Sequence, residues 1–379
     1  MLSPTPRYLF CALLLCLPLA VFFTITSPTT TFTNYHQNPI VARNNHVSQA
    51  IRNLIPSPPP SQTQTQTLHP GDDGSLLRLA SQVNPKPSSP KKVAFLFLTT
   101  TPLPLAPLWE LYFNQAQRHL FNIYVHADPR YMYNPPFSGA FADRVFRSEP
   151  AQRFTPSLSS AARRLLAHAL LDDKANSMFA LISPSCIPLR SFNFTYRFLT
   201  KSQKSFVEIL KNERGAYGRW AARGSTAMLP EVKFREFRIG SQFWVLTRKH
   251  AKLVVSDRRI YAKFNQTCLR RDACFPEENY FPTLIHMRDP RGSVSATLTH
   301  VNWNWSGRSS GHPRMYKASE VGPELIASLR NSRLRYGDDG SESNSSVREK
   351  SHPFLFARKF SPDCIQPLLR IANHTLLKD

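Results

Sequence analysis

The sequence predicts an α/β domain with a mixed central sheet, carried behind a single N-terminal transmembrane helix and a stem. A strand, helix, strand order occurs twice between residues 91 and 186, which implies parallel crossovers. Several strand runs are continuously apolar, the pattern of strands covered on both faces. Near residue 90 the composition also switches from Pro, Ser, Thr, Gln and Asn to periodic apolar segments. One core seldom grows past roughly 250 to 300 residues. The 379 residues therefore suit one large domain plus appendages.

Residues 8–26 form an almost uncharged apolar run of nineteen, close to the ~20 that span a bilayer as a helix. Arg7 flanks its start and no Lys or Arg follows until Arg43, so residues 1–7 are expected in the cytosol and the remainder in the lumen. A cleaved signal peptide is the alternative, and either one sends the chain into the secretory pathway. Residues 27–90, with SPPPSQTQTQT at 57–67, read as a disordered stem; Asp72, Asp73 and Gly74 inside it read as a turn.

The lumenal domain is expected over 91–379. KKVAFLFLTT is a buried strand, residues 104–120 a helix and FNIYVHAD a second strand. RVFRSE, the helix SLSSAARRLLAHALLD and the strand SMFALISPSC repeat the pattern. SFVEIL follows, then strand SQFWVLT leading into helix RKHAKLVVSD, a helix opening at Pro276, strand ATLTHVNW and a terminal helix near CIQPLLRIA.

Cys11 and Cys16 lie in the membrane run, leaving Cys186, Cys268, Cys274 and Cys364 for an oxidising lumen. Cys268 and Cys274 flank the charged loop LRRDA; with no second Cys or His pair at ligand spacing, a disulfide is favoured over zinc. Five sequons, at Asn193, Asn265, Asn304, Asn344 and Asn373, are compatible with that compartment. The formal charge of +23 is scattered rather than gathered into a run, and a lumenal chain meets little nucleic acid, so anionic polysaccharide, anionic nucleotide sugar and membrane surface are the better partners. His126, His168, His286, His300 and His312 show no metal-ligand spacing.

Five motifs, SPSCIPL (183–189), RIGSQFWVLTRKH (238–250), FPEENYFPT (275–283), GHPRMY (311–316) and FLFARKF (354–360), fall in the order found in one family. From about residue 91 to its end, the chain resembles the plant branch of the core-2/I-branching β-1,6-N-acetylglucosaminyltransferases. That resemblance implies a GT-A-like nucleotide-sugar-binding fold in a single-pass type II Golgi membrane protein. It also implies inverting transfer of a sugar, N-acetylglucosamine or glucuronic acid, from a UDP-sugar to a glycan hydroxyl.

No Asp-x-Asp stands after the strand ending at Ser183, so no metal cofactor is expected. The family's two basic diphosphate ligands fall on Arg314 and Lys359, which would hold the leaving diphosphate in place of a metal. Glu278 falls on the catalytic carboxylate, in a first helical turn whose dipole favours its ionised form. Taken without the motif, both Glu277 and Glu278 could simply complement that helix end. Asp128 is implied near the nucleoside, or is a turn aspartate before Pro129. Trp303 matches an aromatic that packs on the acceptor sugar, and Glu208 and Arg219 have the spacing of two acceptor-binding residues.

Two departures stand out. Ala161 and Arg163 occupy positions where the family carries acids, putting donor-sugar contacts in question, and a cysteine pair around the loop before FLFARKF is missing. The first departure motivates an alternative function, a catalytically silent scaffold or carbohydrate-binding protein on the same fold.

Overall fold

The structure, a computed structural model, describes residues 73–133, 137–303, 313–339 and 352–379. The apolar run at 8–26 and most of the segment expected to be a stem lie outside them. Among the described residues no helix is long and apolar enough to cross a membrane.

A seven-stranded sheet in the order β3-β2-β1-β4-β7-β6-β8 forms the centre. Strands β1 (Lys92–Thr99), β2 (Phe121–Ala127), β3 (Val145–Phe146) and β4 (Asn176–Ile182) run parallel. Strand β7 (Val245–Thr247) is antiparallel to β4 and to β6 (Ser205–Phe206), and β8 (Ser293–Val294) runs parallel to β6. The sheet is mixed, as the sequence predicts.

The continuous apolar run of β1 has a direct cause. Val93, Phe95 and Phe97 enter one core, while Ala94, Leu96 and Leu98 enter the other. Period-two alternation thus delivers apolar side chains to both faces. The first core packs against helices α2 (Ala106–Asn114) and α4 (Phe192–Lys201), where Trp109, Tyr112, Phe113 and Phe192 surround Phe95. The second packs against α3 (Ser157–Asp172), α6 (Arg248–Ser256) and α8 (Pro276–Arg288). Between α3 and α8 lie α5 (Ala216–Trp220) and α7 (Arg259–Phe264), and α9 (Pro323–Asn331) and α10 (Ile365–Ile371) close the chain.

Two expectations need correction. The segment assigned to the stem is folded from Asp73 onward, where α1 (Asp73–Ser81) docks on α3 and α6. Asp73 is no turn residue: it begins this helix and accepts a 2.7 Å bond from Arg164 Nε. The apolar signal, Leu76, Leu77 and Ala80, is brief beside the Pro-rich stretch that precedes it. Buried Arg248 then fastens the next segment, donating to the carbonyls of Asn84, Leu170, Asp173 and Asn176.

A second sheet matters most for the site. In it β10 (Phe356–Arg358) pairs antiparallel with β5 (Ile187–Pro188) and parallel with β9 (Thr299–Val301). Phe360 N also donates to Ser185 O at 3.0 Å. The basic end of FLFARKF is thereby laid beside the loop that ends β4, although some 170 residues separate them in sequence.

Candidate active site

A cleft of about 860 Å³ opens beyond the carboxyl ends of β1 and β4, where open α/β sheets bind their ligands. One wall is acidic. Pro276 at the first position of α8 puts Glu277 and Glu278 in its first turn, as the sequence predicts. Glu278 is about three-quarters shielded, and its Oε2 accepts a 2.6 Å bond from Arg219 Nη1. Arg219, on α5, lies over the Phe275 ring at 4.4 Å. Glu208 borders the same wall, and burial pushes its carboxyl up to about 7.

Gly240 makes this wall possible. Its N–H donates to Glu278 O at 2.9 Å, and a Cβ there would fall 2.0 Å from Glu208 O. Only glycine lets the two backbones approach so closely.

A second wall is basic, with Lys359, Arg358 and Arg153 all bordering the cleft and Arg153 also within electrostatic reach of Glu277. Burial lowers the Lys359 pKa, and the charges of Arg358 and Arg153 lower it further. Arg358 lies over Phe243 at 4.4 Å, and its Nε is buried without a hydrogen-bond partner. Its pKa is lowered by burial and by Arg153 but raised by Cys186 and Glu278, so the two walls face each other within electrostatic reach. Crowded cations of this kind favour a multiply charged anion between them.

Acceptor candidates are brought together: Trp303, Glu208 and Arg219 all line the cleft, with Trp303 61% exposed at its lip. Two other candidates are placed differently. Asp128 is fully buried and outside the lining; its carboxylate accepts from Arg130 N, Nε and Nη2 and from Ala151 N. Burial alone would raise its pKa, but these bonds outweigh it and hold it near 2. Its acceptor sites are filled, so it orders the loop after β2 and has none left for a nucleoside. Arg314 stands between the lining residues Pro313 and Met315, yet its guanidinium pairs with Glu320 and lies 5.2 Å from the Tyr316 ring centre.

Sequence reasoning missed Arg153 and the burial of Glu277. It also read Ala161 and Arg163 as donor-site positions. Both are buried on α3: Arg163 donates to the Val254 and Asp257 carbonyls and stacks on Tyr261 at 3.7 Å, so its change belongs to core packing. The motive for a silent scaffold goes with it.

The Cys268–Cys274 disulfide forms, with Cα atoms 6.0 Å apart, while Cys186 and Cys364 are buried thiols. Asn193, Asn265 and Asn373 are exposed, as glycosylation requires; Asn304 and Asn344 lie outside the described residues. Among the described residues no group of three or more His, Cys, Asp or Glu could hold a metal ion.

The sequence model of the core-2/I-branching enzymes matches residues 93–330. The chain belongs to that family. A rice protein (Oryza sativa subsp. japonica) named glycosyltransferase BC10 is 31% identical over 318 residues, which cover 76% of this chain and 78% of the relative. The protein is accordingly a glycosyltransferase. The family match includes Glu278 and Arg219 and stops short of the β10 cations.

Proposed function

We propose that this core-2/I-branching enzyme transfers N-acetylglucosamine or glucuronic acid from a UDP-sugar to a glycan hydroxyl, with inversion and without a metal ion. The observation that carries the reading is one cleft with a single ionisable helix-end carboxylate, Glu278, facing a cation cluster built around Lys359. Glu278 takes the proton of the acceptor hydroxyl as that oxygen bonds to the anomeric carbon and the bond to the UDP oxygen breaks. Lys359, with Arg358 and Arg153, holds the charge gathering on the departing diphosphate. Arg219 orients Glu278 until the acceptor arrives, and Trp303 offers an apolar face to that sugar.

The apolar run at residues 8–26 supports a single-pass type II placement in the Golgi membrane with the cleft in the lumen. A UDP-sugar panel with purified protein in detergent, run with EDTA, tests this function. Transfer from at least one UDP-sugar in EDTA is expected. Activity abolished by EDTA and restored by manganese would overturn the metal-free reading.

A further inference from the structure

The first turn of α8 carries two adjacent glutamates, and only Glu278 has a partner matched to its charge. Glu277 is 3% exposed and is among the residues lining the cleft, and its Oε2 is buried with no hydrogen-bond partner. Such an oxygen costs roughly tenfold to a hundredfold in folding equilibrium if it stays unsatisfied. Buried polar atoms are so seldom left this way that one in the wall of a binding cleft calls for a partner from outside the chain.

The neighbouring cations do not supply one. Arg219 Nη1 is bonded to Glu278, Arg223 donates to the carbonyls of Gln266 and Phe264, and Arg153, whose charge acts on Glu277 to lower its pKa, makes no bond to Oε2. Burial, reinforced by the charge of Glu278, pushes the Glu277 carboxyl up to about 8. At neutral pH and below it is therefore mostly an uncharged acid, which can donate as well as accept. Such a group suits a sugar, whose hydroxyl and ring oxygens are neutral acceptors.

We propose that Glu277 is a specificity-determining residue whose free Oε2 hydrogen-bonds an oxygen of the acceptor sugar beside the hydroxyl that Glu278 deprotonates. This rests on the reading of Glu278 as the base. Glu277 selects the acceptor by hydrogen bonding and takes no part in the proton transfer. A site built around one such bond discriminates against an acceptor lacking that oxygen, because the carboxyl is then left unpaired.

The test uses full-length E277M, E277Q and E278Q in detergent, with acceptor KM, kcat, hydrolysis of the UDP-sugar without acceptor, and melting temperature as readouts. E277M removes the polar atoms at similar volume and is expected to raise acceptor KM about tenfold. E277Q keeps a neutral donor and should restore acceptor KM to within about threefold of wild type. An unchanged acceptor KM in E277M, or an E277Q no better than E277M, overturns the proposal. A fall in kcat alone also overturns it, placing Glu277 behind the base. E278Q separates the two readings: undiminished transfer by E278Q removes the base itself, whereas loss of transfer by E278Q with E277M unaffected removes only the role of Glu277.

Discussion

The two walls of the cleft are built in opposite ways. The catalytic part of the acidic wall is local: Pro276, Glu277 and Glu278 are consecutive, and a helix start fixes where they point, while Glu208 is brought beside them past Gly240. The basic wall is assembled at long range, because Lys359 reaches the cleft only through the pairing of β10 with β5 and β9. Carboxylates at a helix N-terminus are stabilised by the backbone they belong to. The clustered cations are destabilised by burial first and by one another's charge second, which lowers the pKa values of Arg358 and Lys359 until an anion arrives. The acidic wall is thus prepared without substrate, and the basic wall is completed by it.

The largest effect should come from the acidic wall. Glu278→Gln preserves shape and the helix start but removes the proton acceptor, so transfer should fall by the ~10² to 10⁴-fold typical of lost general-base catalysis. UDP affinity, measured calorimetrically, should hold. Full transfer by this variant would show that the acidic wall does not do the chemistry.

How legible each wall was in the sequence follows from the same difference. Glu278 could be placed because proline and helix periodicity are local signals, and β1 because its apolar run is long. The contacts of Asp128 and Arg314 were not legible, because what decides them is a side-chain partner. Arg130 lies two residues from the first and Glu320 six from the second, and no periodicity announces either pairing. Arg163 misled for a related reason: an arginine in place of an acid suggests altered ligand contacts, whereas its bonds run to α6 and Asp257 in the core. Arg153 follows β3 in an irregular loop and carried no motif of its own.

The basic wall should respond next. Lys359→Ala removes a charge aimed at the departing diphosphate and should weaken UDP binding and transfer together, by roughly 2 to 4 kcal/mol in the barrier. Lys359→Arg should recover part of this, since a planar fork does not reproduce a point charge. Loss of transfer with UDP affinity intact would move Lys359 out of the donor site. The contrast with Glu278→Gln, in which binding survives, is the sharpest kinetic separation of the walls.

A smaller effect is a pH dependence of stability confined to the acidic wall. Burial raises Glu208 and Glu277 from 4.5 to about 7 and about 8. The folded state therefore holds these protons more tightly than the unfolded chain does. Their favourable contribution is complete below about pH 4.5 and is lost as pH rises through 7 to 8. Between about pH 5 and pH 8 the substrate-free enzyme should lose stability from this source. Glu277→Gln should flatten the melting-temperature profile over that range; an unflattened profile would mean that Glu277 is ionised in the folded enzyme.

The smallest expected effect concerns Arg314, at the margin of the basic wall. Its pairing with Glu320 is about a third exposed, and exposed pairs contribute roughly 0 to 1 kcal/mol, so a diphosphate could draw the guanidinium away at little cost. If Arg314 does turn to the donor, Glu320→Gln should tighten UDP binding by no more than about fivefold, and Arg314→Ala should abolish that gain. We expect this small tightening, because Pro313 and Met315 on either side already border the cleft. Unchanged UDP affinity in both variants, with a lower melting temperature for Arg314→Ala, would leave Arg314 as a packing partner of Tyr316 and confine the basic wall to Lys359, Arg358 and Arg153.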